Sequence, residues 1–332
     1  MPCKGCIVRA IDYEVSFENC KQTALFESIE DHLKRADMLV NQVDQTFHVK
    51  EQGIKELYDF CVDHAVEMDT IQFRLDQTDW RPFSEVMHVV EMQWIDEVIQ
   101  DEQLTSHYQP IVTPDLEIYA YELLARFYHK DGKVIYPNEI FSAAKERGRL
   151  YALDRVCRLT AVRHAKRISQ KAFINFIPTS IYSPEFCLRS TINLANELQI
   201  DPYRLIFEVV ESEKVEDMGH LKKILEYYHS RGFEYALDDV GEGYNTVEVL
   251  SFLRPNYMKL DIKYVQGVAT DLEKQLIAAD FLEKALAVDS IPLAEGIEAV
   301  EDFEWLKKKG YQLFQGYLFG KPSADPQAEI SI

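Results

Sequence analysis

The stretch Tyr108-Gln109-Pro110-Ile111-Val112-Thr113-Pro114-Asp115-Leu116-Glu117-Ile118-Tyr119-Ala120-Tyr121-Glu122-Leu123-Leu124-Ala125 decides how the rest of the chain is read. Tyr108–Val112 and Ile118–Ala125 are strand-like, and only Thr113–Glu117 lies between them. A parallel crossover needs about a dozen residues or more, so these two strands run antiparallel. After them the rhythm changes. Strand patterns at Ala172–Ile177, Leu205–Val210, Glu234–Asp238, Tyr257–Asp261, Ile291–Ala294 and Gln312–Phe314 alternate with helical patterns. The helical patterns include Tyr151–Lys166, His220–Arg231 and Leu272–Ala287. Repeated βα units of this length build a closed barrel or an open doubly wound sheet.

Upstream, the chain divides near residue 90. Tyr13–Phe17 is strand-like, Thr23–Lys34 and Glu51–Val66 are helical, and Thr70–Leu75 alternates as a half-exposed strand does. Trp80-Arg81-Pro82 interrupts the pattern, because the residue before a proline is pushed out of the helical region. Val86–Gln103 then reads as one amphipathic helix joining the two parts. The expected organisation is a small α+β module over residues 1–90, a connecting helix over 91–103 and a barrel domain over 104–325. The first part is expected to carry regulation.

Composition narrows the function. The chain has 332 residues, 47% of them hydrophobic, which is ample for a large core. A formal charge of -20 argues against binding to duplex nucleic acid or to an anionic membrane. There is no apolar run of about 18 residues and no apolar stretch after Met1, so a cytoplasmic location is expected. Six cysteines are too few for a disulfide scaffold, and Cys157 and Cys187 are expected to be buried thiols. Cys3-Lys4-Gly5-Cys6 has the spacing of half a zinc or iron–sulfur site, which Cys20, Cys61, His48 or His64 would have to complete. With no second such pair, a tail of reduced thiols is expected over a zinc site.

The strand ends carry the chemistry. Glu122, Asn175, Glu208, Asp238 with Asp239, Lys259 with Asp261, and Glu295 all interrupt or close apolar strands. Any one carboxylate at a strand end is ordinarily a surface charge or half of an ion pair with Lys259 or Arg126. Recurrence on successive strands is a different matter, because functional side chains of a βα barrel gather at the C-terminal ends of its strands. Carboxylates brought together there repel one another unless cations neutralise them. A site of carboxylates and one amide suits hard divalent ions, and two such ions can activate water and stabilise the leaving oxygen of a phosphodiester.

From about Leu104 to Pro322 these residues resemble the EAL phosphodiesterase family. Tyr108-Gln109-Pro110-Ile111-Val112 resembles its first strand, and Glu122-Leu123-Leu124 stands where its Glu-Ala-Leu is expected, with Arg126 following. Asn175, Glu208-Val209-Val210-Glu211, Asp238-Asp239-Val240-Gly241-Glu242-Gly243-Tyr244 and Met258-Lys259-Leu260-Asp261 follow in the family's order. Ala294-Glu295-Gly296-Ile297-Glu298 and Gln315-Gly316-Tyr317 with Pro322 close the series. The resemblance implies an α/β TIM-like (β/α)8 barrel with one antiparallel strand, in agreement with the hairpin. It implies hydrolysis of cyclic di-GMP to linear pGpG with two divalent cations, magnesium or manganese, usually in a homodimer through the barrel. Glu122, Asn175, Glu208, Asp238, Asp239 and Glu295 would hold the metals. Lys259, Glu295 and Glu211 would serve catalysis, while Gln109, Leu124, Arg126, Asp261 and Gln315 would meet the substrate.

The chain departs from the family pattern at Leu123, at Val240, Glu242 and Asn245-Thr246, and at Phe176-Ile177-Pro178 after Asn175. The altered loop keeps open a receptor that binds cyclic di-GMP without cleaving it. A related metal hydrolase acting on another diester is a third reading. Retention of every residue at a metal position favours the enzyme.

Overall fold

A computed structural model of the protein describes residues 8–18, 23–75, 78–209, 217–238, 247–330 and 332. Among them the chain forms two compact units, one made of Leu104–Val134 with Asp154–Ile332, the other of Ile7–Gln103 with Ile135–Leu153.

The second unit is α+β. Its sheet contains β1 (Asp12–Ser16), β2 (Leu39–Val43), β3 (Thr46–Lys50), β4 (Gln72–Leu75) and β5 (Arg81–Pro82) in the order β2-β3-β1-β4-β5. Period-two alternation buries Tyr13 and Val15, Phe47 and Val49, and Phe73 and Leu75 in one core with Ile54, Leu57 and Cys61 of the helix Glu51–Asp63. The hairpin β2–β3 escapes the sequence reading because β2 is only half-covered and its turn has no glycine. Asp44 takes the left-handed conformation at φ 51°, which aspartate tolerates better than most residues. The helix expected over Val86–Gln103 is two helices, Val86–Glu91 and Trp94–Gln100. The bonds Met92 N to Val89 O and Gln93 N to Val90 O tighten the turn and end the first. Val86 and Val89 thereby join the core of this unit, while Ile95, Val98 and Ile99 are buried outside that cluster.

The other unit is the expected barrel. Its strands are β6 (Leu104–Val112), β7 (Ile118–Tyr128), β9 (Lys171–Phe176), β10 (Leu205–Val209), β11 (Glu234–Leu237), β12 (Tyr257–Leu260), β13 (Ile291–Ala294) and β14 (Leu313–Gln315); the short β8 (Val134–Ile135) adds to the sheet beside β7. The order β6-β14-β13-β12-β11-β10-β9-β7, with β7 paired back onto β6, closes the sheet. β6 runs antiparallel to both its neighbours, as the short Thr113–Glu117 connection requires, and the other neighbouring pairs among the eight barrel strands are parallel.

One inward residue from each strand fills the barrel: Ile111, Ala120, Phe173, Ile206, Ala236, Tyr257, Leu293 and Leu313. Burying each large apolar side chain of this layer contributes about 1.5–3 kcal/mol. Outward residues such as Ile174, Phe207, Leu237 and Phe314 pack instead with Val162, Ile224, Tyr228 and Phe303 of the surrounding helices. Near the start of the parallel strands, Lys171 Nζ reaches Tyr257 Oη at 2.8 Å and Glu234 Oε2 at 2.5 Å, so the polar groups at this end are paired. No helix among the described residues is long and apolar enough to cross a membrane.

Candidate active site

Alternation along a strand puts every second side chain on the same face. Counting two residues past each member of the apolar layer gives Glu122, Asn175, Glu208, Asp238, Lys259, Glu295 and Gln315. On β6, which runs the other way, counting two back from Ile111 gives Gln109, paired in register with Glu122. The polar layer is therefore the next layer up in the barrel, and it lies at the C-terminal ends of the parallel strands.

Lys259 is its centre. The side chain is 1% exposed, and its Nζ lies 3.0 Å from Asp238 Oδ1, 3.1 Å from Glu208 Oε1, 3.2 Å from Glu295 Oε2 and 3.7 Å from Glu122 Oε2. A wall of amides stands beside it. Asn175 Nδ2 donates to Glu122 Oε1 at 2.8 Å, and Gln315 Nε2 donates to Glu122 Oε2 at 2.6 Å and to Gln109 Oε1 at 3.2 Å.

Burial works against the ammonium of Lys259, but Asp238, Glu122, Glu208 and Glu295 outweigh it and hold the lysine well above its ordinary range. Burial likewise pushes Glu122 upward, yet Lys259, Gln315 and Asn175 together leave its carboxyl below the usual value. Glu208 goes the other way: burial raises it well above the carboxylate range, Lys259 opposes, and Glu122 and Asp238 raise it further. The difference is one of partners. Both carboxyl oxygens of Glu208 are buried without a well-aligned hydrogen bond among the described residues, although Lys259 stands 3.1 Å from Oε1.

Four carboxylates around one ammonium leave three negative charges in excess when all are ionised. A buried acid with two unsatisfied oxygens and surplus negative charge is what a hard cation would relieve, so the donor set fits a divalent ion. Among the described residues no three His, Cys, Asp or Glu side chains already close around a common point, and Lys259 stands between the acids instead.

Leu124 and Arg126 follow Glu122 on the same face of β7 and are half-buried, with Arg126 Nη1 donating to the carbonyl of Ala125 at 2.9 Å. Asp261 caps the turn Ile262–Val265, its Oδ1 accepting from the backbone of Lys263 at 2.6 Å. Asp239, Glu211 and Glu242, together with Cys3, Cys6 and Cys20, lie outside the described residues. Cys61 and Cys187 are buried, and Cys157 is of intermediate exposure as a residue while burial pushes its thiol well above the ordinary range. The sequence reading did not single out Asp154 and Arg158, which look there like a solvated pair one helical turn apart and prove to be buried.

Two glycines next to site residues are required by close approach. Gly296, after Glu295, has φ 74°, and a Cβ there would meet Ile262 Cγ1 at 2.1 Å. Gly316, after Gln315, has no room for a Cβ, which would stand 2.0 Å from the carbonyl oxygen of Ile297. That strand crossing is itself hydrogen-bonded, Ile297 N to Gln315 O at 3.0 Å, so the backbone has little freedom to retreat. Gly316→Ala is expected to destabilise the barrel by about 3 kcal/mol or more, the upper end of overpacking effects. A thermal melt that matches the parent would contradict the crowding argument.

Comparison with known proteins adds the following. A profile of the EAL domain matches residues 92–322. The chain is 29% identical over 231 residues to the probable cyclic di-GMP phosphodiesterase PdeG of Escherichia coli (strain K12), a match covering 68% of this chain and 45% of that protein. It is 25% identical over 244 residues to the signaling protein YkoW of Bacillus subtilis (strain 168), covering 71% and 30% respectively. The chain thus spans less than half the length of these curated relatives. Among solved structures, the c-di-GMP-bound form of a standalone versatile EAL protein from Vibrio cholerae O395 is 35% identical, with a TM-score of 0.59. That match covers 66% of this chain and 92% of the Vibrio protein.

Proposed function

The chain belongs to the EAL domain family, and we propose that it is a phosphodiesterase that hydrolyses cyclic di-GMP to linear pGpG with the help of divalent cations, magnesium or manganese. The observation that carries this reading is the polar layer: Lys259 buried among four carboxylates at the mouth of the barrel. In this reading Glu122, Asn175, Glu208 and Asp238, with Asp239 and Glu295, hold the cations. Bound there, the cations supply charge against the phosphodiester and lower the barrier to attack by water.

The protein's own groups divide the remaining work. The four acids hold Lys259 well above its ordinary range, and in this reading it serves as a positive charge that orients water or phosphate. The proton acceptor in this reading is a carboxylate. Glu295 is the most open of the four, 19% exposed against 14% for Asp238, 8% for Glu122 and none for Glu208, and is the best placed to meet water from the mouth. Arg126, on the face of Glu122 and nearer the strand end, meets a substrate phosphate, and Gln109, Leu124, Asp261 and Gln315 complete the contact surface. Residues 1–90 act as a regulatory module joined to the barrel domain (104–325) through 91–103. Leu272 and Leu276, exposed at 76% and 73% one helical turn apart, supply apolar surface for pairing of two barrels.

The deciding experiment incubates the purified protein with cyclic di-GMP and magnesium or manganese and separates the nucleotides by anion exchange. Accumulation of pGpG is expected. Tight binding with no product under either metal would overturn hydrolysis. Manganese is also expected to stabilise the barrel, by about 2.7 kcal/mol at a hundredfold excess over its dissociation constant, because it binds the folded acids alone. A melting temperature indifferent to manganese would count against the assigned ligands.

A further inference from the structure

Asp154 lies outside the polar layer, on the helix Leu150–Ala165, and is 3% exposed. Its oxygens are fully engaged. Oδ1 accepts from the backbone N–H of Ile177 at 2.9 Å, and Oδ2 accepts from Ser180 Oγ at 2.7 Å and from Arg158 Nε and Nη2 at 3.1 and 2.9 Å. Arg158, also buried, donates onward to Thr191 Oγ1 at 3.1 Å, so the pair is neutral and hydrogen-bonded at both ends.

What Asp154 holds is the point where β9 leaves the sheet. The pairing of β9 with β10 ends at Phe176 opposite Val209. Ile177 therefore offers the first backbone N–H beyond the ladder, and a buried donor at that point needs a partner. Ser180 ends the short turn Pro178–Ser180 that follows. Two residues before Ile177 on the same strand is Asn175, whose amide donates to Glu122. The orientation of the Asn175 amide depends on where its strand ends, and that end is tied to Asp154.

We infer that Asp154 is a positioning residue for the cation site: through Ile177 and Ser180 it fixes the end of β9 and so the placement of Asn175 against Glu122. This rests on the reading of the polar layer as a cation-dependent phosphodiester site. Partners that orient a ligand without touching the ion are commonly worth about 10–100-fold in metal affinity or activity, and Asp154→Ala is expected to weaken manganese binding to that extent. Ser180→Ala removes one of the bonds without stranding a charge. It is expected to raise the manganese dissociation constant by about 3–10-fold, the size of one hydrogen bond, with a melting temperature lowered by no more than a few degrees.

The test titrates manganese into the parent protein, the D154A variant and the S180A variant, reading bound metal directly, and follows cyclic di-GMP turnover and thermal melting alongside. Weaker manganese binding in folded S180A, with a larger effect in D154A, supports the inference. Should D154A fail to fold, S180A decides alone. Variants that melt lower yet bind manganese as tightly as the parent would reduce Asp154 to a fold clamp and overturn the inference while leaving the functional reading intact. A parent protein that neither binds manganese nor cleaves cyclic di-GMP overturns both.

Discussion

Glu122→Gln is expected to lower cyclic di-GMP turnover by more than about 100-fold, because residues that merely orient ligands are already worth about 10–100-fold. The change keeps the shape of the side chain, so the size of the loss has to come from its donors and acceptors. Oε1 of Glu122 accepts from Asn175 and Oε2 accepts from Gln315. Both partners are amide NH2 groups. A carboxylate can accept at both oxygens, whereas glutamine has one acceptor and one donor and would set its own NH2 against that of Asn175 or Gln315. One of those amides must turn or withdraw. Gln315 has Gln109 as a second acceptor, but Asn175 has no other acceptor among the described residues, so the Asn175 side bears the damage. The substitution also removes one of the four carboxylates that face Lys259, reducing the surplus charge that favours a cation. A buried donor left without a partner costs about 1–3 kcal/mol, so a lower melting temperature should accompany the loss. Turnover and manganese binding measured on the folded variant separate the two effects. Near-normal turnover in Glu122→Gln would remove this residue from the site.

The hairpin and the polar layer were legible in the sequence because each follows from counting. Thr113–Glu117 is too short to cross over, and the structure pairs Leu104–Val112 with Ile118–Tyr128 antiparallel accordingly. Ile174-Asn175-Phe176 and Phe207-Glu208-Val209 put one polar side chain among apolar ones, and period two then assigns it to the inner face. What counting could not supply is who stands opposite whom. The sequence suggests Lys259 as an ion-pair partner of a strand-end acid, but its simultaneous contact with four of them depends on closure of the sheet. Asp154 and Arg158 share the spacing of an exposed helical ion pair, and nothing local marks them as buried. The grouping of residues 135–153 with the N-terminal residues was hidden for the same reason. Lys145-Glu146-Arg147-Gly148-Arg149 reads as a helix end with ordinary solvated charges, where a basic residue suits the helix dipole.

Arg147 in fact sits at the centre of that grouping, and Arg147→Ala is expected to destabilise the unit formed by Ile7–Gln103 and Ile135–Leu153 by about 3–5 kcal/mol, the cost of stranding buried partners. The arginine side chain is 0% exposed. Its Nη1 and Nη2 grip Glu51 at 2.7 and 2.9 Å, its Nε and Nη2 reach Asp96 Oδ2 at 3.0 and 2.7 Å, and Nη1 also donates to the carbonyl of Val89 at 3.0 Å. Burial opposes its charge, but the bonds to Glu51 and Asp96 more than offset that and hold the guanidinium above its ordinary range. Alanine would leave Glu51 with Tyr13, whose hydroxyl donates at 3.2 Å, and Asp96 with Arg149 at 2.6 Å. Glu51, with no other ion-pair partner among the described residues, carries most of the penalty. Lysine should recover only part of the loss, because one ammonium cannot reproduce a fork that bonds two carboxylates and a carbonyl. If the stranded charge is the cause, the double replacement Arg147→Met with Glu51→Met should cost less than Arg147→Met alone. Denaturant unfolding can resolve the affected unit, since Trp80 and Trp94 lie in it and Trp305 lies in the barrel. An early transition is expected in Trp80 and Trp94 fluorescence, read in a Trp305→Phe background. Equal losses for the single and double methionine variants would mean that packing, not the orphaned carboxylate, sets the cost.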